Sequence, residues 1–183
     1  MRLFAGLDLA PDVVANLELL LEQLKPAAQI KWSPPRNLHI TTKFIGEWPG
    51  ERLEELKAAL GVLPAQPPIS IAIAKLGFFP NPHAAHVFWA GVNGGDSLQA
   101  LARATDEATA ALGVAKEERP YSPHLTLARI AKPGRLPGLL SAVAALPSLE
   151  FGAFTADRFF LYQSQTSPAG SVYTKLAEFP LAK

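Results

Sequence analysis

The stretches NLHITTKF (37–44) and SPHLTLAR (122–129) carry the same pattern, His-aliphatic-Thr inside a short apolar run, once in each half of a chain of 183 residues. A pattern repeated in matched context asks for two like elements, brought together so that both copies serve one site. Successive side chains of a strand point to opposite faces. Strict alternation puts His39, Thr41 and Lys43 on one side of the first copy, with Leu38, Ile40 and Phe44 on the other. In the second copy, His124 and Thr126 face away from Leu125 and Leu127. The apolar sets bury, and the polar sets are left facing a common space. The two motif strands are expected to be neighbours facing one cleft.

The rest of the chain mixes both kinds of element. RLFAGLDL (2–9) reads as a strand, and Asp12 to Lys25 as a helix, with Val13, Leu17, Leu20, Leu21 and Leu24 at helical spacing and Pro26 closing it. The first motif strand (38–45) and a helix from Glu51 to Leu63 follow. Two strands, ISIAIAKLGF and HVFWAGV, are joined by the turn-rich FPNPHAA. Asp96 and Gln99 resemble a capping box opening a helix to Leu112. After the second motif strand (124–130), Leu136, Leu139, Leu140, Val143 and Leu146 mark one side of a helix, and LEFGAFTA, RFFLYQS and VYTKLAEF read as closing strands. The strands sit too close in pairs for regular βαβ alternation, so an α+β fold with antiparallel sheet is expected. No Pro/Gly/Ser-rich linker separates the halves, which predicts a single domain, 1–183, of two lobes.

Composition narrows the function. With 49% hydrophobic residues the chain can bury its own core. It has no cysteine, which excludes disulfides, thiolate metal sites and a cysteine nucleophile. No run of about 18 apolar residues occurs, so a soluble, unprocessed protein without membrane attachment is expected; a cytoplasmic location is expected beside it, which the absence of cysteine suits but does not require. A net charge of +1 argues against coating long nucleic acid. The distribution says more: residues 26–46 contain Lys31, Arg36 and Lys43 but no acid, and residues 119–149 contain Arg119, Arg129, Lys132 and Arg135 but no acid. Both motifs lie in these windows, where a positive field suits an anion.

Two imidazoles and two hydroxyls have a definite chemical use. Moving one proton off an attacking water and another onto a departing oxygen needs a base and an acid, and histidine serves as either near neutrality. Threonine hydroxyls hold a non-bridging oxygen while bonding changes. The set suits phosphoryl transfer at a diester without a metal. A lone histidine in a strand is commonly a satisfied core residue, and threonine is simply a good strand former; the repetition is what favours function.

HITTKF and HLTLAR resemble the paired His-x-Thr-x motifs (39–42 and 124–127) of the 2H phosphoesterase superfamily. The flanks RLFAGLDL, NLHITTKFIGE, HVFWAGV, YSPHLTLARI and LYQSQTSPAGSVYTKL resemble its RNA 2',3'-cyclic phosphodiesterase branch, also known as bacterial 2'-5' RNA ligase. The resemblance implies a bilobal fold with pseudo-twofold symmetry, two antiparallel-sheet lobes, outer helices and a central cleft. It implies hydrolysis of 2',3'-cyclic phosphate at RNA ends, tRNA fragments among them, to 2'-phosphomonoesters, with 2'-5' ligation as the reverse. No cofactor is expected, and the protein is expected to be a monomer. His39 takes the part of proton donor, His124 that of proton acceptor, and Thr41 and Thr126 hold the phosphate. Arg129 matches an arginine after the second motif, although alternation places it opposite His124, so either the strand bends or the arginine enters from the strand end.

Other residues are read from their surroundings. Lys43 is a candidate to steer phosphate. Trp32, Tyr121 and Phe44 flank the motifs as base-stacking or core residues, with core packing favoured at Phe44 and Tyr121 kept as a binding candidate. His83 and His86 form H-x-x-H, but in a loop entering a strand that spacing does not align ligands, and no metal site is expected. Competing readings are a cyclic phosphodiesterase acting on small nucleotides, such as ADP-ribose 1'',2''-cyclic phosphate, and a non-catalytic module that binds RNA ends.

Overall fold

In a computed structural model describing residues 1–183, nine strands form two sheets in which every pairing is antiparallel. In chain order the elements are β1 (Arg2–Leu7), α1 (Pro11–Leu24), β2 (Lys31–Trp32), β3 (Ile40–Glu47), α2 (Leu53–Gly61), β4 (Ile69–Phe79), β5 (Val87–Asn93), α3 (Gly95–Ala110), β6 (His124–Arg129), α4 (Pro137–Ala144), β7 (Glu150–Ala156), β8 (Arg158–Ser167) and β9 (Gly170–Pro180). A four-stranded sheet runs β3-β1-β8-β9, and a five-stranded sheet runs β2-β6-β5-β4-β7. The fold is α+β and bilobal, as the sequence suggests.

The chain crosses between the sheets. β1 lies in the four-stranded sheet, but α1 packs on β7 of the other; β5 lies in the five-stranded sheet, but α3 packs chiefly on β3 of the first. One apolar cluster therefore draws on both sheets and all four helices, from Leu3 and Leu17 through Leu56, Leu98, Leu125 and Leu139 to Phe179. The expected apolar face of α1 is all buried: Val13, Leu17, Leu20, Leu21 and Leu24. Pro11 supplies a fixed φ where the missing N–H costs nothing.

A smaller cluster, Phe4, Phe160 and Tyr162 with Tyr173 against it, lies apart from this core, on the face of the four-stranded sheet that carries His39. The core thus lies on one face of each motif strand and the site on the other.

Two expectations change, and one strand is added. Asp96 and Gln99 form no capping box: the N-cap of α3 is Gly94, two residues before Asp96, no side chain caps it, and Gln99 donates to the Tyr121 carbonyl instead. β2, two residues long, is too short to show periodicity and has no counterpart in the sequence reading. The motif strands are not neighbours in one sheet. β3 is the outer strand of the four-stranded sheet and β6 the second strand of the five-stranded one, and they meet where the two sheets meet.

Candidate active site

His39 stands one residue before β3, and His124 opens β6. Each is oriented in the same way. The His39 Nδ1–H donates to the Asn37 carbonyl at 2.7 Å, and the His124 Nδ1–H donates to the Ser122 carbonyl at 2.8 Å. A carbonyl only accepts, so both rings carry the neutral-state proton on Nδ1 and present Nε2 as the basic atom. The Thr41 hydroxyl lies 2.9 Å from His39 Nε2 and donates to it while that nitrogen is unprotonated. The orienting carbonyls sit two residues before each histidine. Because backbone atoms do the work, Asn37 and Ser122 share no side-chain signature, and nothing in the sequence singles them out.

A β-bulge follows each threonine. In β3, Thr41 pairs with Gly6 and Lys43 with Ala5, leaving Thr42 unopposed; in β6, Thr126 pairs with Trp89 and Ala128 with Phe88, leaving Leu127 unopposed. An extra residue shifts the alternation by one, so the side chains beyond it exchange faces. Lys43 and its counterpart Ala128 turn inward, 3% and 0% exposed, while Phe44 and its counterpart Arg129 turn out to the histidine face. The strand therefore does bend at Arg129, which joins His124 and Thr126. Lys43 does not join His39. Its ammonium donates to Asp106 (2.7 Å), to Glu117 (3.0 Å) and to the Ala115 carbonyl (2.8 Å), so it is not a phosphate-steering residue. Phe44, expected in the core, is 60% exposed on the site face with its ring 6.2 Å from that of Phe4.

The other flanking aromatics are settled by their contacts. Tyr121 is no stacking platform: its hydroxyl donates to the Thr41 carbonyl at 2.7 Å, and burial pushes its pKa well above the ordinary phenol value. It ties the segment leading to His124 onto the strand that carries the first motif. Trp32 packs edge-on against buried Phe88, its indole N–H donating to the Ala28 carbonyl. His83 and His86 remain on the β4–β5 loop, and nowhere do three or more His, Asp or Glu side chains gather as a metal-binding group.

Several site residues escape the sequence reading. His39 rests on Phe4 (ring centroids 4.6 Å) and against the edge of Tyr173 (5.1 Å), with Tyr162 beyond. The Tyr162 hydroxyl and the Lys175 ammonium both donate to Asp8. His124 meets Phe79 edge-on at 5.0 Å, and Phe79 in turn meets Trp89 at 5.2 Å. Trp89 can lie there only because Gly77 opposite has no side chain; a Cβ at Gly77 would come 2.2 Å from the indole. In sequence these aromatics look like ordinary strand residues, and only the register shows which face they share.

The two histidines differ in surroundings. Burial holds the His39 pKa below the usual imidazole value. The Asn37 carbonyl and the Asp8 carboxylate pull it upward, while the positive charge of Arg129, and that of His124 whenever it is protonated, push it down.

A model of the family described as LigT like Phosphoesterase matches residues 7–89 and 92–173, two segments with one motif in each. The RNA 2',3'-cyclic phosphodiesterase of Methanothermobacter thermautotrophicus is 32% identical over 183 residues, covering 99% of this chain and 99% of that protein. The protein of the same name from Methanocaldococcus jannaschii is 33% identical over 179 residues, 98% of this chain and all of that one. Among solved structures, a Thermus thermophilus protein superposes with a TM-score of 0.82 at 29% identity, over 99% of this chain and 98% of that one. E. coli LigT, at 24% identity, shares the fold with a TM-score of 0.81 over all of this chain and 98% of its own. Duplicated motifs on matched bulged strands, with relatives spanning both halves, place this chain in the LigT-like phosphoesterases of the 2H phosphoesterase superfamily.

Proposed function

We propose that the protein hydrolyses the 2',3'-cyclic phosphate at RNA ends to a 2'-phosphomonoester, using His39 as acid and His124 as base. The observation that carries this reading is the matched pair of Nδ1–H bonds to backbone carbonyls, which makes Nε2 the basic atom of both rings, met at His39 only by the Thr41 hydroxyl. Similarity to relatives named RNA 2',3'-cyclic phosphodiesterase supports the substrate class. His124 Nε2 takes a proton from water as its oxygen bonds to phosphorus. The bond from phosphorus to the ribose 3'-oxygen breaks, and that oxygen takes a proton from His39 Nε2. The product keeps phosphate on the 2'-oxygen and gains a 3'-hydroxyl.

His39 must carry its second proton to act as acid, and burial opposes that in the free protein. A phosphate anion between the rings offsets the burial, so substrate and proton arrive together. Once Nε2 is protonated it no longer accepts from Thr41, and the Thr41 hydroxyl is released toward a non-bridging oxygen. Thr126 and Arg129 supply the matching contacts from the other side. These groups supply charge stabilisation without a divalent ion. An RNA 5'-hydroxyl in place of water, attacking the same phosphorus, would give a 2'-5' linkage by the same proton transfers.

The test is an RNA oligonucleotide ending in 2',3'-cyclic phosphate, incubated with and without chelator. The expected product is a 2'-phosphate with a free 3'-hydroxyl, formed at the same rate in both. A 3'-phosphate product, turnover of small cyclic nucleotides alone, binding without turnover, or activity lost to chelator and restored by zinc or manganese would each overturn the corresponding part of the proposal.

A further inference from the structure

An RNA end of the proposed kind carries more than one phosphate. The next one sits on the 5'-oxygen of the terminal nucleoside, whereas a free nucleoside 2',3'-cyclic phosphate has none. A cation placed to read that second phosphate would separate RNA ends from small cyclic nucleotides.

The short strand β2 holds such a cation. It pairs with β6 at Lys31↔Arg129 and Trp32↔Ala128. Directly opposed residues share a face. Trp32 and Ala128 take the buried face, where the indole meets Phe88, so Lys31 and Arg129 share the other, the face of His124 and Thr126. Both are exposed, and neither has a carboxylate within ion-pair distance. No acid occurs in the sequence on either side, from 26 to 46 or from 119 to 149. Like charges directly opposite one another across a strand pair are unfavourable. Here an edge strand of two residues sets a lysine beside an arginine with no carboxylate to offset them, and an anion is what relieves the arrangement. Arg129 faces the reacting phosphate, and Lys31 stands one strand further out, about 4.8 Å away in backbone spacing.

We propose that Lys31 binds the 5'-phosphate of the terminal nucleotide, making the site select RNA ends over free nucleoside cyclic phosphates. The assignment rests on the hydrolytic reading above. Its test compares adenosine 2',3'-cyclic phosphate with the dinucleotide ApA ending in the same ring, using wild type, Lys31→Ala and Lys31→Arg. Lys31→Ala is expected to lose roughly 3- to 10-fold in kcat/KM on the dinucleotide and nothing on the nucleoside. The dependence of log kcat/KM on log salt for the dinucleotide should flatten by about 0.7, the single-strand value for one phosphate contact. Lys31→Arg should restore both. An equal loss on the two substrates would make Lys31 a structural residue, and no loss on the dinucleotide would make it merely solvated; either overturns the proposal. A wild type that hydrolyses neither substrate removes the hydrolytic reading and the premise of the subsite with it, a result distinct from those two.

Discussion

His39 is held between opposing influences, and its protonation is where they become measurable. The ring is packed on Phe4 and against Tyr173 and Tyr162, so its charged form is disfavoured by burial despite Asp8 nearby. A histidine with a lowered folded pKa contributes its full share of stability above about pH 6.5, where folded and unfolded chains are both neutral. As pH falls below that value, the unfolded chain takes up a proton that folded His39 resists, and stability is lost until the folded pKa is passed. Replacement by Gln removes this one proton. Urea denaturation of His39→Gln should therefore show a smaller stability drop between pH 7.5 and pH 5 than wild type; an identical drop would mean that His39 titrates normally. In the reaction, needing one neutral and one protonated imidazole at once predicts a bell-shaped pH–rate profile. His39→Ala and His124→Ala should each cost roughly 10² to 10⁴ in rate, and Thr41→Ala or Thr126→Ala less, because the other hydroxyl and Arg129 still hold the phosphate.

At the scale of the element, the bulges decide which residues of each motif act. Alternation correctly pairs His39 with Thr41 and His124 with Thr126, because those residues precede the extra one. It fails beyond it: Lys43 and Phe44 exchange places, and Arg129 turns to the site. A bulge has no marker in HITTKF or HLTLAR, since Thr, Leu, Lys and Ala all suit a regular strand, so that part of the site was not legible in the sequence. The capping box fails differently: Asp96 and Gln99 have the right spacing, but tertiary contact with the Tyr121 carbonyl claims Gln99. Two neighbouring substitutions should separate the consequences. The Thr42 hydroxyl is buried without a hydrogen-bond partner, so Thr42→Val is expected to keep activity and leave stability equal or higher by up to about 1 kcal/mol. Lys43→Met strips the partner from Asp106 and Glu117. It should destabilise by roughly 2–3 kcal/mol, less than for a fully buried pair because both carboxylates keep contact with water. Denaturant midpoints with unchanged slopes check both. A Thr42→Val loss as large as that of Lys43→Met would show that the bulge itself depends on the hydroxyl.

Across the whole molecule, the repeat announces two equivalent halves, and the structure weaves them together. β8 and β9, near the C-terminus, complete the sheet begun by β1 and β3, while β2 and β4 from the first half join the sheet of the second motif. The antiparallel α+β class and the meeting of the two motifs were legible because they follow from local pattern and duplication, although the motif strands meet across two sheets rather than as neighbours in one. The exchange was not, since nothing in a strand's own residues says which sheet it will join. Interweaving also lets the halves diverge around matched histidines: the His39 side gained buried aromatics and Asp8, and the His124 side gained Arg129 and the edge contact of Phe79. Two imidazoles related by near-symmetry are interchangeable in principle, so only their surroundings can assign acid and base. Asp8 supports a proton on His39 once an anion offsets the burial, which favours His39 as donor. The assignment can be read with a phosphodiester bearing a nitrophenyl leaving group, which departs without protonation. On that substrate His39→Ala should recover most of the rate it loses on the RNA end, while His124→Ala, still lacking a base for water, stays slow. Recovery by His124→Ala instead would exchange the two roles, and failure of both variants to recover would mean that neither histidine serves the leaving group alone.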